Sequence, residues 1–143
     1  MNEMNGHDIE DLEVGMSAGF GKTITDADII MFAAVSTDVN PVHLNEEYGS
    51  GTMFKSRIAH GAMTAGLVSA VLGNQLPGPG CIYMSQNTKF TGPVRVGDTV
   101  NTKVTVKEVN REKARVVCTT QCFVGDKMVL DGEAMMKVTR RKS

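Results

Sequence analysis

The chain has no tryptophan, only three cysteines and three histidines, and no surplus of charge of either sign. Fifteen Lys and Arg residues stand against sixteen Asp and Glu residues, which gives a formal net charge of −1. This balance argues against the strongly basic surface by which many proteins bind nucleic acid or anionic membranes. The odd number of cysteines fits reduced thiols rather than a disulfide framework.

Long apolar runs are also missing. The longest one, residues 62–72, is shorter than the ~20 residues that a membrane-spanning helix needs. Residues 1–11 are polar and acidic, unlike a signal peptide. We therefore expect a cytoplasmic protein without a nucleic-acid or membrane partner.

The length of 143 residues is that of one ordinary domain. It leaves no room for a nucleotide-binding domain beside a separate substrate domain. Residues 1–12 carry few apolar side chains and are expected to form a flexible N-terminus, and residues 13–143 a single domain. Glycine is abundant: 15 of the 143 residues are glycine, which is more than the average of ~7% would give. This excess predicts turns and places where the backbone makes close contacts.

Two helices are predicted from the pattern of the first half. Thr25 is a good N-cap and Asp28 lies three residues on, so a capping box should open a helix over about 26–36. Residues 62–73 are apolar on every face, which predicts a helix that is buried all round. Gly66 in this second helix would let it approach a sheet closely.

The remaining segments alternate between apolar and polar residues, as β-strands do. Strands are expected within residues 14–24, 82–90, 99–109, 115–124 and 128–139, with a short helical piece over 46–53. The fold class is therefore α+β, with an antiparallel sheet curled around the apolar helix. One such sheet leaves a face and two edges uncovered, so we expect a homodimer.

Asp38 and His43 form the first candidate site. They lie five residues apart and Asn40-Pro41 stands between them, so the stiff proline can hold the two side chains in a fixed relation. A carboxylate and an imidazole aimed at one point can bind a water molecule and move its protons. On this spacing alone, an Asx-turn at Asp38 with a surface histidine at position 43 is an open alternative.

The second candidate is Gly61, which follows His60 and precedes the apolar helix. Free N–H groups at a helix N-terminus attract anions, and glycine lets a carbonyl approach without a Cβ in the way. Such an amide could stabilise an enolate-like oxyanion. The alternative is an ordinary helix start with His60 near the cap. His7, in the polar N-terminus, is interpreted as solvated.

The cysteines do not form a metal-binding pattern. Cys118 and Cys122 are four residues apart on a predicted strand and share a face, but no further ligands cluster with them. They are interpreted as core residues, and Cys81 as a packing residue rather than a nucleophile. The cysteines therefore give no indication of a metal site.

Two segments together resemble a known family. The stretch 32–43, with its Asp-x-Asn-Pro-x-His motif, resembles the hydratase signature of MaoC-like dehydratases. The stretch 58–61 resembles the start of their central helix. The likeness is greatest to the short, single-domain (R)-specific enoyl-CoA hydratases, which supply polyhydroxyalkanoate synthesis and act in fatty acid metabolism. It extends over roughly residues 14–138.

The resemblance implies a hot-dog fold, in which the sheet wraps around one helix, and a homodimer whose sheets join edge to edge. It also implies reversible syn hydration of a trans-2-enoyl-CoA to a (3R)-hydroxyacyl-CoA, which is 3-hydroxybutyryl-CoA dehydration in reverse. In the family, the equivalents of Asp38 and His43 hold the water and the Gly61 amide forms the oxyanion hole. Water supplies both added groups, so the resemblance implies a reaction that needs no cofactor and no metal.

Other residues are secondary candidates. Asn40 could steady the loop or contact the water. Met63, Leu67 and Met84 could line the acyl tunnel, with core packing as the alternative for each. Four basic residues could meet the phosphates of CoA or be solvated charges, and none is assigned: Lys55, Arg57, Lys89 and Arg95.

Two other functions are compatible with this fold. One is an acyl-CoA thioesterase, because fold does not determine function. The other is a non-catalytic acyl-CoA-binding partner subunit. The presence of both Asp38 and His43 argues against each of them.

Overall fold

The computed structural model describes residues 4–141. Its five strands form one antiparallel sheet in the order β1-β3-β4-β5-β2. The strands are β1 (Ser17–Thr23), β2 (Ile82–Phe90), β3 (Thr99–Asn110), β4 (Arg115–Val124) and β5 (Lys127–Lys137). The helices are α1 (Asp26–Ser36), α2 (Pro41–Leu44), α3 (Glu46–Ser50) and α4 (Gly61–Asn74), and a 3₁₀ turn covers Ile9–Asp11. The expected α+β hot-dog fold is confirmed.

One face of the sheet forms the core with α4. Every second side chain is buried from Val100 to Val106 in β3 and from Val116 to Cys122 in β4, as the alternation of apolar residues predicts. The register places Thr102 opposite Cys122 and Val106 opposite Cys118. Helix α4 packs chiefly against β3, β4 and β1, and buried residues of β5, among them Leu130 and Met136, belong to the same core.

Helix α4 is buried on one face only. Six of its residues are buried: Met63, Thr64, Leu67, Val68, Val71 and Leu72. Ala62, Gly66 and Ser69 are exposed, so the prediction of burial all round is wrong for the single chain. A Cβ placed on Gly66 would meet no heavy atom within 4 Å, and this glycine therefore does not serve close packing against the sheet. One face of α4 stays exposed because a single sheet of this size covers only one side of the helix.

Helix α1 has the predicted bounds and the predicted capping box. The Asp28 N–H donates to Thr25 Oγ1 at 3.2 Å, and the Thr25 N–H donates to Asp28 Oδ2 at 2.9 Å. That backbone hydrogen bond, with Lys22 nearby, holds the pKa of Asp28 below its usual value. The helix ends at Thr37, whose φ of 64° is left-handed.

The N-terminal segment contains two buried side chains, and its flexibility stays a prediction. Ile9 and Leu12 are fully buried, and the Ile9 N–H donates to the Thr139 carbonyl at 2.8 Å. Arg141 forms ion pairs with Asp8 and Asp11 at the same end of the sheet. Residues 8–12 are thus attached to the folded chain by two buried side chains and these ion pairs. Residues 1–3 lie outside the described part.

Within residues 4–141, no helix is long and apolar enough to cross a membrane.

Candidate active site

Hydrogen bonds between side chains and the backbone shape the loop after α1, which carries Asp38 and His43. Asp38 Oδ1 accepts the Asn40 N–H at 3.2 Å, and Asn40 Oδ1 accepts the Val42 N–H at 3.1 Å. Asn40 therefore caps α2, and Pro41 occupies its first position, where its missing N–H costs nothing. The Asx-turn at Asp38 is real, but it exists together with a largely buried His43 rather than a surface one.

The two side chains face each other across a gap. His43 Nε2 lies 3.8 Å from Asp38 Oδ2, and the exposed fractions of the side chains are 11% and 50%. The separation is too long for a direct hydrogen bond. His43 Nδ1 lies 2.8 Å from the Ile58 carbonyl, which can only accept, so Nδ1 carries the proton. In the neutral imidazole, Nε2 then presents a free lone pair to the space beside the carboxylate.

His60 completes the cluster. Its ring stacks on that of His43, with centroids 3.9 Å apart and planes inclined by 29°. Its Nε2 lies 2.9 Å from the Asp38 carbonyl oxygen. The sequence placed His60 only near the helix cap, because a cap position says nothing about a ring contact with a residue seventeen positions earlier.

This cluster could be considered as a metal site, since one ligand atom from each of Asp38, His43 and His60 lies within 4.8 Å of the others. The stacking argues against that function. Nearly parallel rings direct their in-plane nitrogen lone pairs into separate planes, whereas a metal needs them to converge. His60 Nε2 also already contacts the Asp38 carbonyl.

Gly61 is the first residue of α4, and the first N–H groups of a helix have no acceptor inside it. A Cβ on Gly61 would lie 2.9–3.1 Å from three carbon atoms of the Phe90 ring. Glycine thus keeps the helix N-terminus open beside an aromatic side chain.

A cavity of about 550 Å³ brings His43 and Gly61 together. Its walls are largely apolar and include Met53, Phe54 and Phe90. Such a cleft with a few convergent polar groups is typical of a small-molecule site.

Comparison with known proteins places the chain in a family. Residues 12–126 match the family model described as a MaoC like domain. The chain belongs to the MaoC-like family. An (R)-specific enoyl-CoA hydratase of Rhodospirillum rubrum is 51% identical over 135 residues, which cover 94% of either chain. A 3-hydroxybutyryl-CoA dehydratase of Methylorubrum extorquens is 51% identical over 93% of this chain and 85% of its own.

A solved structure of similar shape is the unliganded R-hydratase PhaJ1 of Pseudomonas aeruginosa. It superposes with a TM-score of 0.89 at 42% identity, covering 95% of this chain and 88% of its own. The hot-dog architecture of this MaoC-like domain therefore agrees with that of a solved relative over nearly its whole length.

The four secondary candidates for substrate binding are not among the residues that line this cavity. Met63 and Leu67 are core residues, each 8% exposed, whereas Met84 lies on the edge strand β2 and is 44% exposed. Asn40 caps α2. Contact of these four residues with a substrate stays a prediction. Besides His43, the walls of the cavity come from two residues of the loop 51–57, from residues 58–59 and the start of α4, and from residues 90–94. The loop segments among them carry no sequence periodicity.

Arg95 holds that loop in place. Its Nε donates to Ser56 Oγ and its Nη2 to the Phe54 carbonyl, both at 2.8 Å. Arg57 forms ion pairs with Asp26 and Glu46. Both guanidinium groups thus have structural partners within the chain.

The cysteine thiols are not activated. Burial raises the pKa of Cys118 to about 12 and also raises the pKa values of Cys81 and Cys122. Because the thiolate is the nucleophile, these groups are poor nucleophiles at neutral pH, which agrees with their interpretation as packing residues.

Proposed function

We propose that this protein is an (R)-specific enoyl-CoA hydratase, a hydro-lyase that interconverts trans-2-enoyl-CoA and (3R)-hydroxyacyl-CoA. The observation that carries the proposal is that Asp38 Oδ2 and His43 Nε2 lie 3.8 Å apart, so that one water molecule can bridge them. His43 also lines the cavity together with Gly61. Two relatives with 51% identity, named as a hydratase and a dehydratase of this chemistry, support it.

The proposed water lies between Asp38 Oδ2 and His43 Nε2. Both atoms are acceptors, so the water donates one hydrogen to each of them. Hydrogen bonds of ~2.8 Å to atoms 3.8 Å apart meet at the oxygen at roughly a right angle. A water molecule can span that angle with its two O–H bonds, and its lone pairs are left to face the cavity.

Hydration then proceeds on one face of the double bond. The water oxygen forms a bond to C3 while Asp38 or His43 takes its proton. The π electrons move toward the thioester carbonyl, and the Gly61 N–H stabilises the developing oxyanion. The proton returns to C2 from the same side, which gives syn addition. Both added groups come from water, so this scheme requires no cofactor.

A homodimer is part of the proposal. Strand β2 is an edge strand, and it exposes Ile82, Tyr83, Met84 and Phe90, each between 40% and 58%. A long, apolar edge invites pairing with another chain. The uncovered face of α4 would be buried by the same association. Pairing of two copies along β2 would thus cover both surfaces.

We place the enzyme in the cytoplasm, without a nucleic-acid partner. The balanced charge and the three free cysteines support this placement.

The deciding experiment is an assay with crotonyl-CoA, with the product analysed on a chiral column. We expect loss of the enoyl absorbance and formation of (3R)-hydroxybutyryl-CoA. A (3S) product would contradict the proposed stereochemistry. A parallel thiol-release assay with butyryl-CoA should detect no free CoA, and rapid release there would indicate a thioesterase instead.

A further inference from the structure

His60 contacts both members of the proposed catalytic pair with one side chain. The residue is 1% exposed. Its ring stacks on that of His43, with centroids 3.9 Å apart. On Phe32 it packs with centroids 4.8 Å apart and planes inclined by 58°. The His43 imidazole therefore rests on a ring that is itself in contact with α1.

The second contact is to the main chain of Asp38. A carbonyl oxygen can only accept, so the 2.9 Å contact makes His60 Nε2 the donor. Asp38 directly follows Thr37, the left-handed residue that ends α1. The hydrogen bond thus ties down the short loop on which the carboxylate is carried.

The third observation concerns the other nitrogen of the ring. With the proton on Nε2, Nδ1 is an acceptor, and it is buried with no hydrogen-bond partner among residues 4–141. An unpaired buried acceptor lowers stability, and a phenyl ring would fill the space without it. Stability alone therefore does not account for an imidazole at this position.

We propose that His60 is a positioning residue for hydration: its Nε2–H fixes the Asp38 main chain while its ring supports the His43 ring, so that one water molecule can bridge carboxylate and base. The inference rests on the proposed function. His60 does not touch the water or the substrate in this scheme, and it acts through its two neighbours.

Two substitutions separate the two contacts. His60→Phe keeps a ring for stacking but removes the donor and the unpaired Nδ1. His60→Gln loses the ring but keeps an N–H that can reach the Asp38 carbonyl. We expect His60→Phe to lower kcat with crotonyl-CoA by about 10²-fold, as misplacement of catalytic groups does, while KM and Tm stay near wild-type values. His60→Gln should recover a large part of kcat.

A core substitution on the same helix is the matched control. Val71 is fully buried on α4, so Val71→Ala should lower Tm but leave kcat of the folded protein unchanged. A merely structural role of His60 predicts the same behaviour for His60→Phe. An unchanged kcat in His60→Phe, beside an active wild type, would overturn the role of His60 but leave the hydratase proposal intact. A wild type that does not hydrate crotonyl-CoA would overturn both.

The tautomers provide a test that does not depend on activity. NMR spectra of protein labelled with nitrogen-15 histidine distinguish a proton on Nδ1 from one on Nε2. We expect opposite tautomers, with the proton on Nε2 in His60 and on Nδ1 in His43. An unprotonated Nε2 in His60 would overturn the inference, because that nitrogen could not then donate to Asp38.

Discussion

The two carboxylate oxygens of Asp38 lie in different surroundings. Its Oδ1 accepts a backbone N–H in the loop, whereas Oδ2 faces His43 Nε2 across 3.8 Å, and half of the side chain is exposed. Asp38→Asn replaces an acceptor for the water proton with a neutral amide of the same size. General acid–base catalysis contributes about 10²–10⁴-fold, so we expect kcat to fall within that range at an unchanged Tm.

The control for this substitution is Asp126→Asn, the same chemical change in the exposed turn between β4 and β5. It should leave kcat with crotonyl-CoA at the wild-type value. Retention of wild-type kcat in Asp38→Asn would remove that carboxylate from the mechanism.

Gly61 is the residue at which a side chain should be least tolerated for function. The Cβ of a substituted residue would lie about 3 Å from the Phe90 ring and beside the N–H proposed to bind the thioester oxygen. We expect Gly61→Val to abolish turnover, measured as kcat/KM for crotonyl-CoA. Gly125→Ala, at a turn with φ of 59° and open space around it, should instead cost about 1–2 kcal/mol of stability and leave kcat unchanged.

At the scale of elements, the loop 51–57 depends on Arg95 rather than on secondary structure of its own. The two hydrogen bonds to Ser56 and Phe54 attach this wall of the cavity to the chain that follows β2. Arg95→Ala should loosen the wall and raise KM for crotonyl-CoA more than it lowers kcat. Arg111→Ala removes a comparable hydrogen bond, from Nη2 to the Leu12 carbonyl at 3.0 Å, and should leave KM unchanged. Equal effects of the two variants would contradict this role for Arg95.

The elements also show where sequence patterns are sufficient. Helix α1 and its capping box follow from residues three apart, and the strands follow from a period of two, because both are local signals. The burial of α4 was predicted wrongly, since apolar residues on every face do not say whether one chain or two cover them. The cavity wall and the ring of His60 could not be predicted, because they depend on contacts between segments far apart in sequence.

At the scale of the whole molecule, a substitution on the uncovered face of α4 can distinguish a monomer from a dimer. In the single chain, a Cβ at Gly66 would meet nothing within 4 Å and the residue is exposed, so a monomer should tolerate Gly66→Leu. If two copies bury this face, the same substitution should weaken their association. We expect sedimentation velocity to show a dimer for the wild type and a shift toward monomer for Gly66→Leu.

Lys113→Leu, in the exposed turn between β3 and β4, is the control for added apolar surface and should remain dimeric. A wild type that sediments as a monomer at all concentrations would exclude the proposed homodimer.

Strand β2 connects the proposed dimerisation to the rate of the reaction. Its apolar edge is the proposed contact between copies, and its last residue, Phe90, lies against Gly61 at the cavity. When an edge strand gains a partner, the whole strand is held more firmly. Specific activity would then obey mass action: it would decline on dilution as dimers dissociate and recover on concentration, although no residue of the catalytic pair had changed.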